Sequence, residues 1–184
     1  RITDEKSISI VEEVLNIFNK EITDALKNNN CDSQGITNKQ NNILKVEQEN
    51  EKLGYVGNPK EINQSIIEKI VKEKKVPVIA PLGLDKDNQV FNINADTAAG
   101  AIAKKLNARR LIIMSDIEGV LDNDKKLISE INTDKINKLI KDKTILGGMI
   151  PKIKNCLDVA SNGVKGVVII DGRKNHSILF ELLS

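Results

Sequence analysis

The amino-acid sequence predicts an α/β protein, a three-layer α/β/α sandwich with a mainly parallel central sheet. Short apolar runs carry the prediction: Val76-Pro77-Val78-Ile79-Ala80, Leu111 to Met114 and Val167-Val168-Ile169-Ile170 read as strands buried on both faces. Segments of helical period separate them, as parallel neighbours require. Hydrophobic residues make up 40% and charged residues 29% of 184 positions, so a chain of this size closes a core without metal or disulfide support.

The elements follow in order. Thr3 or Asp4 is placed to cap a helix to about Asn28, with Ile8, Val11, Val14, Leu15, Phe18, Ile22, Ala25 and Leu26 as its stripe. Asn16 to Asn19 is where that helix would break. The Asn-rich stretch from Asn28 to Asn42 reads as a loop with one short strand, Ile43 to Val46 as a strand, and Glu47 to Lys52 as a charged linker. Leu53-Gly54-Tyr55-Val56-Gly57 reads as a strand punctuated by glycine. From Asn63, the spacing of Ile66, Ile67, Ile70 and Val71 predicts a helix that ends in the Lys72 to Lys75 run. Beyond the strand at 76–80, Asp85 to Gln89 turns into Val90 to Ile93, and Ala95 to Leu106 is an Ala-rich helix. The strand at Leu111 to Met114 precedes helices around Ile136 to Ile140 and from about Ile150 to Ser161. The strand at 167–170 and a final helix through Leu179 and Leu182 complete the chain.

Several function classes are excluded. Lys plus Arg (28) against Asp plus Glu (26) leaves only +2, no electrostatic footprint for nucleic acid. Aromatic residues are 2% and Trp is absent, which argues against base-stacking platforms. Cys31 and Cys156 lie far apart and there is one His, so no protein-ligated metal site is expected. The longest uncharged apolar stretch, Val76 to Leu84, falls far short of the roughly 20 residues of a membrane span. No secretory signature follows Arg1, so the expected address is cytoplasmic, an organelle stroma being the alternative.

In sheets of this kind ligands bind where strands exit into helices, and three segments occupy such places. In Asn92-Ile93-Asn94-Ala95-Asp96, alternation sends Asn92 and Asn94 to one side, where two amides can grip a polar ligand. Asp96, inside the helix, can hold a cation or orient a lysine. A helix N-cap followed by a first-turn Asp accounts for part of the same pattern. Ser115-Asp116-Ile117-Glu118-Gly119-Val120-Leu121-Asp122 follows a strand and suits nucleotide or sugar hydroxyls, although a turn without ligand explains it almost as well. In Gly147-Gly148-Met149-Ile150-Pro151-Lys152, proline fits a first helical turn and glycines let the backbone approach a ligand. Amides at that helix start beside Lys152 suit a phosphate, and a flexible glycine loop with a surface lysine is the alternative. Neither a Walker-type loop nor GxGxxG is present.

Taken together, Asn-Ile-Asn-Ala-Asp, Ser-Asp-Ile-Glu-Gly-Val-Leu-Asp, Gly-Gly-Met-Ile-Pro-Lys and Ile-Asp-Gly-Arg resemble the N-acetylglutamate kinases of the amino-acid kinase superfamily. Arg1-Ile-Thr-Asp, Leu53-Gly-Tyr-Val-Gly and Pro77-Val-Ile-Ala-Pro-Leu-Gly extend the match over nearly the whole chain. The resemblance implies phosphorylation of the side-chain carboxylate of N-acetyl-L-glutamate with ATP and Mg2+, in arginine biosynthesis. It implies that Lys152 stabilises the transferring phosphoryl group and that Asp96 organises catalytic lysines. By the same resemblance Asn92, Asn94 and Arg1 hold the acylated amino acid. Ser115, Asp116, Gly119, Val120, Leu121 and Asp122, with Gly147, Gly148 and Met149, would surround the nucleotide. His176 and Glu181 resemble part of the arginine pocket of feedback-inhibited members, and a homodimer or higher homo-oligomer through the helix from Asp4 is implied.

Members of that family carry a further N-terminal segment, roughly a third of the protein, ahead of the arginine matched by Arg1. It holds a catalytic lysine and glycine-rich loops, and a glycine-containing tail follows the last helix. The expectation is therefore residues 1–75 as the remainder of the acyl-amino-acid-binding lobe and 76–184 as the nucleotide-binding lobe, with poor turnover by these residues alone. Another amino-acid kinase with a different acceptor, or a non-catalytic module sensing nucleotide or arginine, is the alternative.

Overall fold

The computed structural model describes residues 2–122, 124, 126–128, 133–142, 144–145 and 147–183. They fall into two compact units, 1–105 and 106–184. The boundary expected at 75/76 lies inside the first, because the segment after residue 75 pairs with strands that precede it.

In the first unit Asp4 caps α1 (Glu5–Asn28), accepting from the Ser7 N–H at 2.7 Å. The helix runs unbroken through Asn16 to Asn19, with the Asn16 and Asn19 side chains bonding to segments packed against it instead of interrupting it. β1 (Ser33–Ile36) pairs in parallel with β4 (Val76–Ile79). A second sheet has the order β3-β2-β5-β6, built from β2 (Leu44–Gln48), β3 (Gly57–Ile62), β5 (Leu82–Leu84) and β6 (Val90–Asn92). Its β2–β3 and β5–β6 pairs are antiparallel and β2–β5 is parallel. α2 (Gln64–Lys72) and α3 (Ala95–Lys105) complete the unit. Leu44, Ile36, Leu82 and Ile93 are at most 1% exposed and anchor its core, each side chain stabilising the fold by about 1.5–3 kcal/mol relative to exposure.

Sequence and structure differ most at 49–62. The strand expected at Leu53 to Gly57 is a 3-10 turn (Glu51–Leu53) followed by isolated bridges, and the strand proper is β3, which the residue pattern concealed. β3 lies at a sheet edge with most side chains wholly or half exposed, so it shows no apolar signature. Pro59 is tolerated there beside a register shift at Lys45/Val46.

The second unit contains β7 (Arg110–Ser115), α4 (Thr133–Lys141), α5 (Met149–Ser161), β8 (Gly166–Asp171) and α6 (Ser177–Leu183). β7 and β8 pair in parallel over six residues, from Arg110 opposite Gly166 to Ser115 opposite Asp171. Val120, Ile136, Ile145 and Ile153 form the buried cluster that seats α4 and α5, with Met149, Ile150 and Ile169 packed against it.

Candidate functional site

The acceptor-side candidates lie in the first unit, where β6 runs into α3. Ile93 turns into the core at 1% exposure, which leaves Asn92 and Asn94 on the other side of the chain. The Asn94 Oδ1 accepts from the N–H groups of Asp96 (3.0 Å) and Thr97 (3.2 Å), so Asn94 caps α3. Asp96 stands half-buried in the first turn. Asn92 is tied to a second segment: its N–H donates to the Tyr55 carbonyl at 2.9 Å. Tyr55 in turn donates to the Thr3 carbonyl at 2.7 Å, and the Thr3 N–H donates to the Leu53 carbonyl at 2.9 Å. The backbone just after Arg1 and the Asn92 strand end therefore belong to one hydrogen-bonded row. Arg1 itself lies outside the described residues.

The donor-side candidates lie in the second unit, at the carboxyl ends of β7 and β8. The Gly172 N–H donates to the Ser115 carbonyl at 2.8 Å and joins the two exit loops. Asp171, its side chain 6% exposed, receives a guanidinium fork: Arg173 Nε reaches Oδ1 and Nη2 reaches Oδ2, both at 2.9 Å. That fork first, then the Arg173 N–H, lowers the Asp171 carboxyl to about 2, against the opposing effect of burial. Lys174 Nζ pairs with Glu118 at 2.7 Å, and the hydrogen bond to Glu118 raises its pKa. Both pairs draw on residues 171–174, of which the family resemblance rests on Asp171, Gly172 and Arg173 and not on Lys174. The usable signal is the Asp-Gly-Arg-Lys run directly after an apolar strand.

Within the segment from Ser115 to Asp122 the structure divides the roles. Ser115 ends β7 half-buried and Asp116 is exposed, whereas Gly119 and Val120 are buried and Val120 belongs to the core cluster. Leu121 bridges Leu127, and the Asp122 carboxylate accepts from the Asp124 and Lys126 N–H groups at 2.9 Å each, holding a hairpin turn. Gly147 takes φ +56°, and a side-chain carbon at either Gly147 or Gly148 would meet none of the described residues within 4 Å. The backbone entering α5 is therefore open to a ligand, with Lys152 half-buried in the first turns and Ile153 in the core beneath it. A cavity of about 1200 Å³ in this unit is lined by Glu118, Gly119, Val120, Asp171 and Lys174, together with the apolar side chains of Ile153 and its neighbours. Of the residues expected around the nucleotide, Gly119 and Val120 line it, whereas Ser115, Asp116, Gly147, Gly148 and Met149 are not part of its lining, and neither is Lys152.

His176 is exposed at φ +61°, just before α6. The Glu181 carboxylate pairs with Arg110 at 3.1 Å, and Arg110 also donates to the Glu181 carbonyl at 2.5 Å, so this acid fastens α6 to the start of β7. No group of three or more His, Cys, Asp or Glu that could hold a metal ion occurs among the described residues. None of their helices is long and apolar enough to cross a membrane.

The chain is 67% identical over all 184 residues to the acetylglutamate kinase of Pelagibacter ubique, of which it covers 64%. It is 43% identical over 186 aligned residues to that of Campylobacter fetus, of which it covers 66%. The chain thus spans just under two thirds of the length of these relatives. Among solved structures, smu.665 from Streptococcus mutans superposes with a TM-score of 0.86 at 29% identity, over 93% of this chain and 70% of that one. The carbamate kinase of Giardia lamblia bound to AMP-PNP superposes at 0.65 with 17% identity, over 92% of this chain and 66% of its own, a likeness of fold alone. Residues 1–171 match the amino acid kinase family, and with the parallel strand pairs and their exit loops arranged as described, the chain belongs to that family.

Proposed function

We propose that this chain carries the nucleotide-binding lobe and part of the acyl-amino-acid-binding lobe of an acetylglutamate kinase. The reaction transfers the γ-phosphoryl group of ATP to the side-chain carboxylate of N-acetyl-L-glutamate, as a step of arginine biosynthesis. The observation that carries the reading is 67% identity to the Pelagibacter ubique acetylglutamate kinase along the entire chain.

The acceptor is already an anion at neutral pH, so the site needs no general base. Its work is to bring two anionic partners together and to offset charge on the phosphoryl group in transit. Asn92 and Asn94 donate amide hydrogens to the acylated amino acid, and Arg1 pairs with its carboxylate. The bare backbone at Gly147 and Gly148 and the α5 start receive phosphate oxygens, and Lys152 supplies the positive charge. Asp96, in the first turn of α3, takes the organising role that the family resemblance gives it. Ser115, Asp116 and Gly119 border the nucleotide, with Lys174 of the cavity beside them. Mg2+ would arrive on the ATP phosphates and neutralise part of their charge, in keeping with its preference for substrate oxygens and water.

Residues at the rim extend the reading. His176 and Glu181 contribute to an arginine-sensing pocket, and the exposed apolar stripe of α1 (Ile10, Val14, Ile17, Phe18 and Ile22) forms a homodimer contact. The working compartment is the cytoplasm. Sedimentation that finds only monomer at micromolar concentration removes the dimer.

An ADP-release assay on the gene product that carries this chain, with a panel of acceptors, tests the whole. Turnover with N-acetyl-L-glutamate, together with a hydroxylamine-trappable acyl phosphate, is the expected result. Turnover with carbamate or aspartate alone assigns a different acceptor, and nucleotide binding without any turnover turns the reading to a sensor. Residues 1–184 alone are expected to bind ATP and to turn over poorly.

A further inference from the structure

Gly54 and Tyr55 stand where two parts of the acceptor side meet. Gly54 ends the 3-10 turn at φ +67°, a conformation that side chains with a Cβ disfavour. A carbon added to it would come to 2.3 Å from the Thr3 carbonyl oxygen, well inside contact. Thr3, 3% exposed, therefore lies directly on the Gly54 α-carbon and bridges it in parallel. From there the row of hydrogen bonds passes through one residue. The Tyr55 N–H holds the Thr3 carbonyl at 2.7 Å and the Tyr55 carbonyl holds the Asn92 N–H at 2.9 Å. On the far side, the Gln48 Nε2 donates to the Gly54 carbonyl at 2.8 Å and pins the peptide between Gly54 and Tyr55.

We infer that Gly54 is a positioning residue for the acceptor: through the Tyr55 backbone it sets the Thr3 segment and the Asn92 strand end in one register. The inference rests on the acceptor reading given above, in which Arg1 and Asn92 both touch N-acetyl-L-glutamate. Neither Gly54 nor the Tyr55 ring is assigned a contact with the substrate. The coupling runs through the main chain, where a shift of a few tenths of an ångström at Thr3 passes to Asn92 with no flexible side chain to absorb it.

The test uses Gly54→Ala in the gene product, with Gln48→Ala as a milder variant that adds no atoms and Tyr55→Phe as a control that keeps the backbone. Gly54→Ala is expected to raise the KM for N-acetyl-L-glutamate at least tenfold while the KM for ATP stays within twofold. Amide exchange at Tyr55 and Asn92 should accelerate at least tenfold, with protection in β7 and β8 unchanged. Gln48→Ala should move the same quantities in the same direction by two- to fivefold, and it decides the matter if Gly54→Ala does not fold. Tyr55→Phe should move none of them. Equal changes in both KM values, or an Asn92 amide that keeps its protection in both variants, overturns the inference. An unmodified protein that ignores N-acetyl-L-glutamate overturns the acceptor reading and the positioning role with it, and the exchange data still report separately whether Gly54 couples Thr3 to Asn92.

Discussion

Asn94 offers the sharpest test, because a helix cap and a ligand-binding amide ask different things of the same side chain. The cap uses only Oδ1, which accepts at 3.0 and 3.2 Å from the first turn of α3. The acceptor reading uses the Nδ2 hydrogens. Asn94→Asp keeps an oxygen for the cap and places a negative charge at a helix N-terminus, so stability should stay within ~0.5 kcal/mol or rise. Asn94→Ala removes the cap and should cost about 1 kcal/mol. For the substrate the order reverses. Asn94→Asp forfeits a donor to an anionic ligand, ~1.5–3 kcal/mol, and adds a like charge whose repulsion at 4 Å and an effective dielectric of 20 is roughly 4 kcal/mol. The donor loss alone corresponds to about 10- to 150-fold at ~1.4 kcal/mol per tenfold, and with even part of the repulsion added the KM for N-acetyl-L-glutamate rises about 100-fold or more. Asn94→Ala, losing the donor alone, should raise it about tenfold to 100-fold. Stability is read by circular dichroism in urea, because Trp is absent and there is a single Tyr. Asn94→Asp with an unchanged KM would refute the binding role and leave the cap as the whole explanation. Asn94→Asp as unstable as Asn94→Ala would refute the cap.

Other perturbations probe the second unit. Ile153→Ala removes three carbons from a side chain 2% exposed beneath Lys152. At ~0.8 kcal/mol per carbon plus a cavity contribution it should cost about 3–4 kcal/mol, read as lost amide protection in β8; a loss under ~1 kcal/mol means the cluster is not packed as described. Asp171 should stay ionised down to about pH 2. A carboxyl lowered on folding adds stability above its unfolded value near 3.8 and loses it as pH falls toward 2, so Arg173→Gln should remove most of that pH dependence and leave the smaller part due to the residue-173 N–H. Carbon-detected NMR titration checks it, and an Asp171 that still titrates near 2 in Arg173→Gln contradicts the assigned cause. Lys152→Met in the gene product should lower kcat by ~10²–10³ with the ATP dissociation constant changed less than threefold; a loss carried wholly by weaker ATP binding gives the lysine a binding role instead.

Much of the fold was legible because burial on both faces leaves a plain trace. β4, β7 and β8 are continuous apolar runs, and their bounds fall within two residues of those read from the sequence. β3 left no such trace, since an exposed edge strand containing Pro59 has neither alternation nor a buried face to report. The candidate site was legible as motifs and not as roles. Nothing in Ser115 to Asp122 distinguishes Val120, buried in the core, from Ser115, at the strand exit. Asp122 could not be assigned to its own turn from the sequence, because its partners are backbone N–H groups. The pairing of Lys174 with Glu118 joins residues more than fifty positions apart, and no local pattern encodes it.

The first helix shows a deeper reason why periodicity alone can mislead. Its apolar spacing suggests a core-facing stripe, yet Ile10, Val14, Ile17, Phe18 and Ile22 are 37–61% exposed, while Asn19 and Thr23 are buried. The inward face combines Ile8, 4% exposed, with polar side chains that are hydrogen-bonded. The Asn19 Nδ2 donates to the Val78 carbonyl at 2.8 Å, Thr23 Oγ1 to the Asn19 carbonyl at 2.8 Å, and Ser33 Oγ to the Thr23 carbonyl at 2.9 Å. Further along, the Asn38 Nδ2 donates to Glu12 at 2.8 Å and the Asn16 Nδ2 to Asn38 at 3.2 Å. Gly35 belongs to the same seam, since a Cβ there would lie 2.4 Å from the Asn19 Oδ1. Hydrophobic contact is non-directional and would let a helix roll about its axis, whereas these bonds fix the rotation. The apolar side is thereby held outward in one orientation, and a self-complementary contact between identical helices requires that of each copy. The polar bonds fix which face of the helix points outward, so the proposed dimer rests on the seam as much as on the stripe.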